Sequence, residues 1–147
     1  GSLTFGEAGL GRFLSALPLA PQAHNRFLLG HIANGRIGEV DYFTGLAVLN
    51  PDLENPARIQ VTAFDSQGRP LDSRQIVLQA YDPSTCADCG VRRVFLLDDF
   101  MPDLAAMFGG YLIIENLESS DGVLVFELFG DWDLNVLSAV PAVPLRE

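Results

Sequence analysis

Asp131-Trp132-Asp133 packs more potential chemistry into three residues than any other stretch of this chain. Two carboxylates on one loop, together with backbone carbonyls, are hard oxygen donors of the kind that hold calcium. A loop tryptophan between them could lay its indole face against a sugar ring, with Tyr42, Tyr81 and Tyr111 adding to such a platform. The simpler reading is a tight hairpin turn whose tryptophan covers one end of the core or a junction with a neighbouring module. The ligand spacing of an EF-hand is absent. Asp131, Trp132 and Asp133 are thus the candidate ligand-binding residues, with calcium the one cofactor the loop would suit.

Cys86 and Cys89 form a single CxxC in Ser-Thr-Cys-Ala-Asp-Cys-Gly. A structural zinc needs about four ligands, and the only histidines, His24 and His31, are distant in sequence. A thioredoxin-like pair should open a helix in a βαβ pattern, whereas residues 91–97 read as strand. A local disulfide stapling a loop tip is the favoured reading, with an oxidising compartment as its corollary. Two free thiols are the alternative.

Acidic pairs at Asp98/Asp99, Asp131/Asp133 and Asp82/Asp88 could serve glycoside hydrolysis only across a cleft, and helix capping explains the first pair. His31 lies in an apolar run and reads as structural; His24 lies in a linker. No nucleophile elbow, HExxH, P-loop or dinucleotide fingerprint occurs. No catalytic residue or metal site is assigned, and the chain is expected to be non-enzymatic.

The 147 residues suffice for one domain with its own core. A content of 48% hydrophobic and 19% charged residues is that of a globular chain. The net charge of −10 arises from 19 acids against nine arginines and no lysine. That balance repels phosphate, so neither nucleic acid nor an anionic membrane surface is an expected partner. No apolar run approaches the roughly 18 residues that span a bilayer, so membrane insertion is not expected either.

The elements that must position these residues read as strands. Residues 57–64 (ARIQVTAF) alternate cleanly, a polar turn with Gly68 at its tip follows, and residues 71–80 return as the hairpin partner. Residues 40–49 carry apolar side chains on both faces, which predicts a covered central strand; Pro51 stops it. Further strands are expected at 26–32, 91–97, 111–115, 123–129 and 134–140, with a turn at Asn34-Gly35. Residues 98–108, with acids first, Pro102 in the first turn and paired glycines after, predict one short helix. The fold class expected is all-β: a two-sheet antiparallel sandwich of about eight strands, immunoglobulin-like or jelly-roll-like, with that helix.

The closing stretch, residues 125–144, has a partial copy at residues 5–21. Both run Phe-Gly-acid, then Leu-Ser-Ala-apolar-Pro, and Ser138 lies 123 residues after Ser15. Residues 1–21 therefore read as the tail of a preceding repeat plus a linker, and residues 22–147 as one complete module. Gly1-Ser2 reads as the scar of a cleaved tag. Residues 14–19 should form a strand that docks on this module's edge or, through residues 13–20, exchanges onto another molecule.

His31-Ile32-Ala33, Thr44 to Pro51, Phe64 to Gly68, Gly110 to Ile114 and Phe126 to Pro141 follow one another in an order that resembles the tandem, largely uncharacterised β-sandwich repeat modules of bacterial secreted and cell-surface proteins. The resemblance spans about 115 residues. It implies an extracellular, periplasmic or cell-surface location and a place in a repeat array. Neighbouring modules would be the partners, with a spacer, adhesion or recognition role. It supplies no catalytic residues, and the Cys86–Cys89 loop is no part of its pattern. A carbohydrate-binding module, calcium-assisted and centred on Trp132, is the alternative, with glycan as partner.

Overall fold

A clean apolar/polar alternation suits a pleated strand with one face covered, and residues 57–64 adopt that conformation: Ala57, Ile59, Val61 and Ala63 are buried while the residues between them are not. A computed structural model describes residues 2–6, 14–18, 22–80, 84, 90–118 and 121–146. Its first strands are β1 (Ser2–Gly6), β2 (Leu14–Pro18), β3 (Arg26–Leu29), β4 (Ala33–Ile37) and β5 (Val40–Leu49). Then come β6 (Ala57–Phe64), β7 (Pro70–Leu78), β8 (Arg92–Leu96), the helical turn α1 (Leu97–Phe100) and β9 (Met107–Phe108). The chain closes with β10 (Tyr111–Asn116), β11 (Leu124–Asp131), β12 (Leu137–Pro141) and β13 (Val143–Pro144).

Two antiparallel sheets face each other, as expected. One has the order β13-β3-β10-β6-β7, the other β12-β11-β5-β4-β9 with β8 also on β5. Leu29, Ile59, Val61, Leu112 and Ile114 meet Leu46, Val48 and Val125 in the core between them. β5 is central, as the sequence predicts, but only one of its faces is covered by the other sheet, and the second lies open. One edge pairs with β11 from Tyr42 to Leu49, and the other is shared, with β4 opposite residues 40–42 and β8 opposite residues 45–49. At the hand-over, the buried Thr44 hydroxyl accepts from Ala33 N–H (3.0 Å) and donates to Ala33 C=O (2.8 Å), standing in for the ladder. Where β5 ends, buried Asn50 donates to the carbonyls of Asn55 and Gln79 and accepts from Asp52 N–H.

Several boundaries differ from expectation. The strand expected over 26–32 stops at Leu29, because residues 30–32 carry the chain from one sheet to the other. Asn34-Gly35 is not a turn but part of β4, and the reversal falls at Gly38-Glu39. Gly35 sits at φ +75, where a Cβ would come within 2.9 Å of Ala106 Cβ, so its glycine serves a close approach. The helix expected over 98–108 is the single turn α1. Met101 N–H closes its one bond onto Leu97 C=O, and Pro102 has no N–H to continue.

Met107 and Phe108 instead pair with Asn34 and Ala33. Gly109 and Gly110, both at positive φ, reverse the chain into β10 rather than end a helix. Phe100, Leu104 and Met107 pack against the core; Phe108 is 58% exposed. The last strand starts at Leu137 rather than Leu134, since residues 132–136 form the hairpin loop.

β1 was not foreseen. It pairs with β2, so the N-terminal copy is a hairpin of its own. Phe5 lies opposite Ser15 and Gly6 opposite Leu14; in the closing hairpin Phe129 lies opposite Ser138 and Gly130 opposite Leu137. The two hairpins share sequence and register, differing by one residue in loop length. Among the described residues, no helix is long and apolar enough to cross a membrane.

Candidate functional site

The predicted site residues lie at the end of β11 (Asp131) and on the loop that joins it to β12 (Trp132 and Asp133), and backbone geometry explains most of them. Gly130 precedes the loop; a Cβ there would lie 2.5 Å from Val136 O and 3.1 Å from the Phe43 ring, so no larger residue fits. Asp131 is buried, and its carboxylate accepts from Asn135 N–H at 2.7 Å. Its backbone binds Val136 C=O through N–H and receives Leu134 N–H on its C=O. Leu134 takes φ 55, a left-handed conformation unusual for a residue with a Cβ. Asp131 therefore organises the loop as a side-chain cap. Asp133 is exposed in the same turn. Among the described residues, no three His, Cys, Asp or Glu side chains gather as a metal-binding group.

Trp132 is tied down by its N–H to Asp41 C=O (3.0 Å), yet its side chain is 52% exposed. Its ring leans on Phe43 at 5.1 Å and 50°. The tyrosines do not gather around it. Tyr42 meets Phe108 at 5.2 Å, Tyr111 stacks on Phe64 in the other sheet, and Tyr81 lies outside the described residues.

Phe43 leads to a feature that the strand pattern signalled only indirectly. The apolar residues on the second face of β5 are not covered by another layer of strands. Together with neighbours on β8 and β11 they line a shallow groove of about 390 Å³ on the outside of the six-stranded sheet. Phe43, Ala47, Val94, Leu96, Phe126 and Leu128 form it, and Val94 is 72% exposed. Apolar residues on both faces of a strand were the available signal; whether the second face is covered depends on tertiary packing.

His31, expected within a strand, lies in the crossover between the sheets. Its ring sits edge-on to Phe108 and Phe129, both at 4.8 Å. Its Nε2 is buried without a hydrogen-bond partner, and burial lowers its pKa, so it is a neutral packing residue at pH 7. His24 forms an antiparallel bridge with Val123. Asp98 and Asp99 sit in the first turn of α1. Cys86, Cys89, Asp82 and Asp88 lie outside the described residues, and the disulfide expectation with them.

Glu127 drew no attention in the sequence. It occupies an inward position of β11, between Val125 and Phe129, and is fully buried. Both carboxylate oxygens lack a partner, and desolvation raises its pKa from 4.5 to about 8. The signal available was a single charged residue in an otherwise apolar run, residues 123–129.

No family model matches this chain, and no curated protein matches it. Two solved structures share its fold. The crystal structure of Thermotoga maritima 1070 superposes with a TM-score of 0.58 at 11% identity, over 84% of this chain and 96% of that one. The Anabaena sensory rhodopsin transducer superposes with a TM-score of 0.51 at 11% identity, over 70% of this chain and 91% of that one. At such identity the likeness is one of fold.

Proposed function

We propose that this chain comes from a tandem array of β-sandwich modules of the bacterial secreted or cell-surface kind, and that it acts as a spacer or recognition module rather than an enzyme. The observation that carries this reading is the duplicated closing hairpin: β1–β2 matches β11–β12 in sequence and in strand register. A chance match of Leu-Ser-Ala-apolar-Pro would not bring Phe-Gly opposite Leu-Ser in both places. The motif positions favour the same reading, because they serve architecture. Thr44 latches β4, Asn50 ties off β5, Gly110 makes room for Phe64 O, and Gly130 makes room for Val136 O.

The test is a two-module chain in which residues 22–141 are joined directly ahead of residue 19 of a second copy, using the equivalence of Pro141 and Pro18. Two folded modules are expected, with a denaturant midpoint like that of the parent. An upstream module that stays unfolded in the soluble product would refute the repeat reading.

A second reading, glycan recognition, is favoured by one observation: Trp132 holds half its surface in solvent beside an apolar groove. A glycan array probed with the parent and with Trp132→Ala separates the two. Binding that the substitution abolishes supports recognition, and no binding by the parent removes it.

A further inference from the structure

We infer that the outer edge of β12, the one away from β11, is a docking edge for the closing hairpin of the adjacent module, so that modules meet in twos, edge to edge. This deepens the array reading and rests on it. β12 is the terminal strand of its sheet, with β11 on one side only. A terminal strand offers unpaired N–H and C=O groups to any passing chain, and proteins cover or interrupt such edges. Here the edge is covered. β2 lies along β12, and Ser15 Oγ accepts Ala139 N–H at 2.9 Å.

The identity of the covering strand gives this contact its meaning. β2 is the counterpart of β12: Leu14, Ser15, Ala16, Leu17 and Pro18 stand where Leu137, Ser138, Ala139, Val140 and Pro141 stand. Two copies of one strand thus meet at the edges their own hairpins leave open, in the order β1-β2 then β12-β11. Each edge is used up by the encounter. A module whose β12 receives the module before it has no equivalent edge left for the module after it, so contacts of this type link modules pairwise and cannot run on as a continuous ribbon. Pro18 and Pro141 close the two strands, and a proline there has no N–H with which to prolong a ladder. A hydroxyl, not a backbone ladder, makes the described bond, which suits a junction that can open.

Hydrogen exchange in the full chain tests the contact first. The Ala139 amide should exchange far more slowly than that of Glu39 in the exposed turn. Ser15→Ala should speed it roughly fivefold, as expected for loss of one modest hydrogen bond, with β5 amides unchanged. An Ala139 amide as fast as that of Glu39 in the parent overturns the inference. The two-module chain tests the junction, with Cys86→Ser and Cys89→Ser in both copies, Ser138→Cys upstream and Ala139→Cys downstream. A disulfide between modules on mild oxidation supports docking. Two folded modules that do not cross-link overturn docking and leave the array reading standing; an upstream module that fails to fold overturns both.

Discussion

Glu127 should make this protein less stable as pH rises through neutrality. Its carboxyl faces the core with no hydrogen-bond donor on either oxygen, and an unpaired buried carboxylate is costly enough that the group holds its proton instead. The folded pKa is about 8 against 4.5 for the free side chain. The folded state therefore binds a proton that the unfolded state has released, and stability is full below about pH 4.5 and declines up to about pH 8. The linkage relation gives a loss of about 3 kcal/mol between pH 4 and pH 7 and about 5 kcal/mol in all.

Asp52 and Asp65 act in the opposite sense. Backbone N–H groups lower their pKa values, so their contribution is present at neutral pH and fades only in acid. Between pH 5 and pH 8 the other group that changes is His31, whose lowered pKa adds stability as pH rises; it is common to parent and variant, so the difference between them isolates Glu127. Glu127→Leu places in β11 the residue type that Leu3 supplies at the equivalent register of β1. Urea denaturation followed by circular dichroism should show a free energy that falls with pH in the parent relative to the variant, with the variant ahead by about 3 kcal/mol at pH 7. Parallel curves over that interval would show that the carboxyl finds a partner or water in solution, and the reasoning would fail.

Three further outcomes are expected. Thr44→Val keeps the shape but strands the N–H and C=O of Ala33 in the interior, and should cost about 2–4 kcal/mol in denaturant unfolding. Gly110→Ala should cost at least about 2 kcal/mol, because its Cβ would lie 2.4 Å from Phe64 O at a φ of +85; Gly38→Ala, at positive φ but with open space around it, should cost less by the same assay. Asp131→Ala removes the cap on Asn135 and should cost about 1–2 kcal/mol, with a change in Trp132 fluorescence as the loop loosens.

The strands that alternate or run apolar were legible from sequence, as residues 40–49 and 57–64 show, because a pleat leaves a period-two record. Local signals misled where tertiary contact decided the outcome. Asn34-Gly35 has turn chemistry, yet Gly35 is needed for room against Ala106. Residues 107 and 108 continue a helical spacing, yet an open edge of β4 captures them. At the site, Asp131 and Trp132 were found as a conspicuous pair, but their division of labour was not: one carboxylate faces inward to hold a loop, and the indole faces outward. Glu127 and the groove depended on knowing which face of β11 is buried, which only the second sheet determines.

The pairing of β13 with β3 bears on how the module would respond to tension. Val143 lies opposite Leu28 and Pro144 opposite Phe27, and Leu145 N–H reaches Arg26 C=O, so the entering and leaving chains part from the same end of one short ladder. A pull along the chain loads those bonds one after another, as a zipper is loaded, and not all together as in shear. β13 has only two residues in the ladder. In an optical trap the first yielding event should be a small, low-force release of residues 142–146, reversible on relaxation, before the sandwich gives way. A linked string of such modules would then stretch in soft steps and act as a shock absorber between whatever it joins.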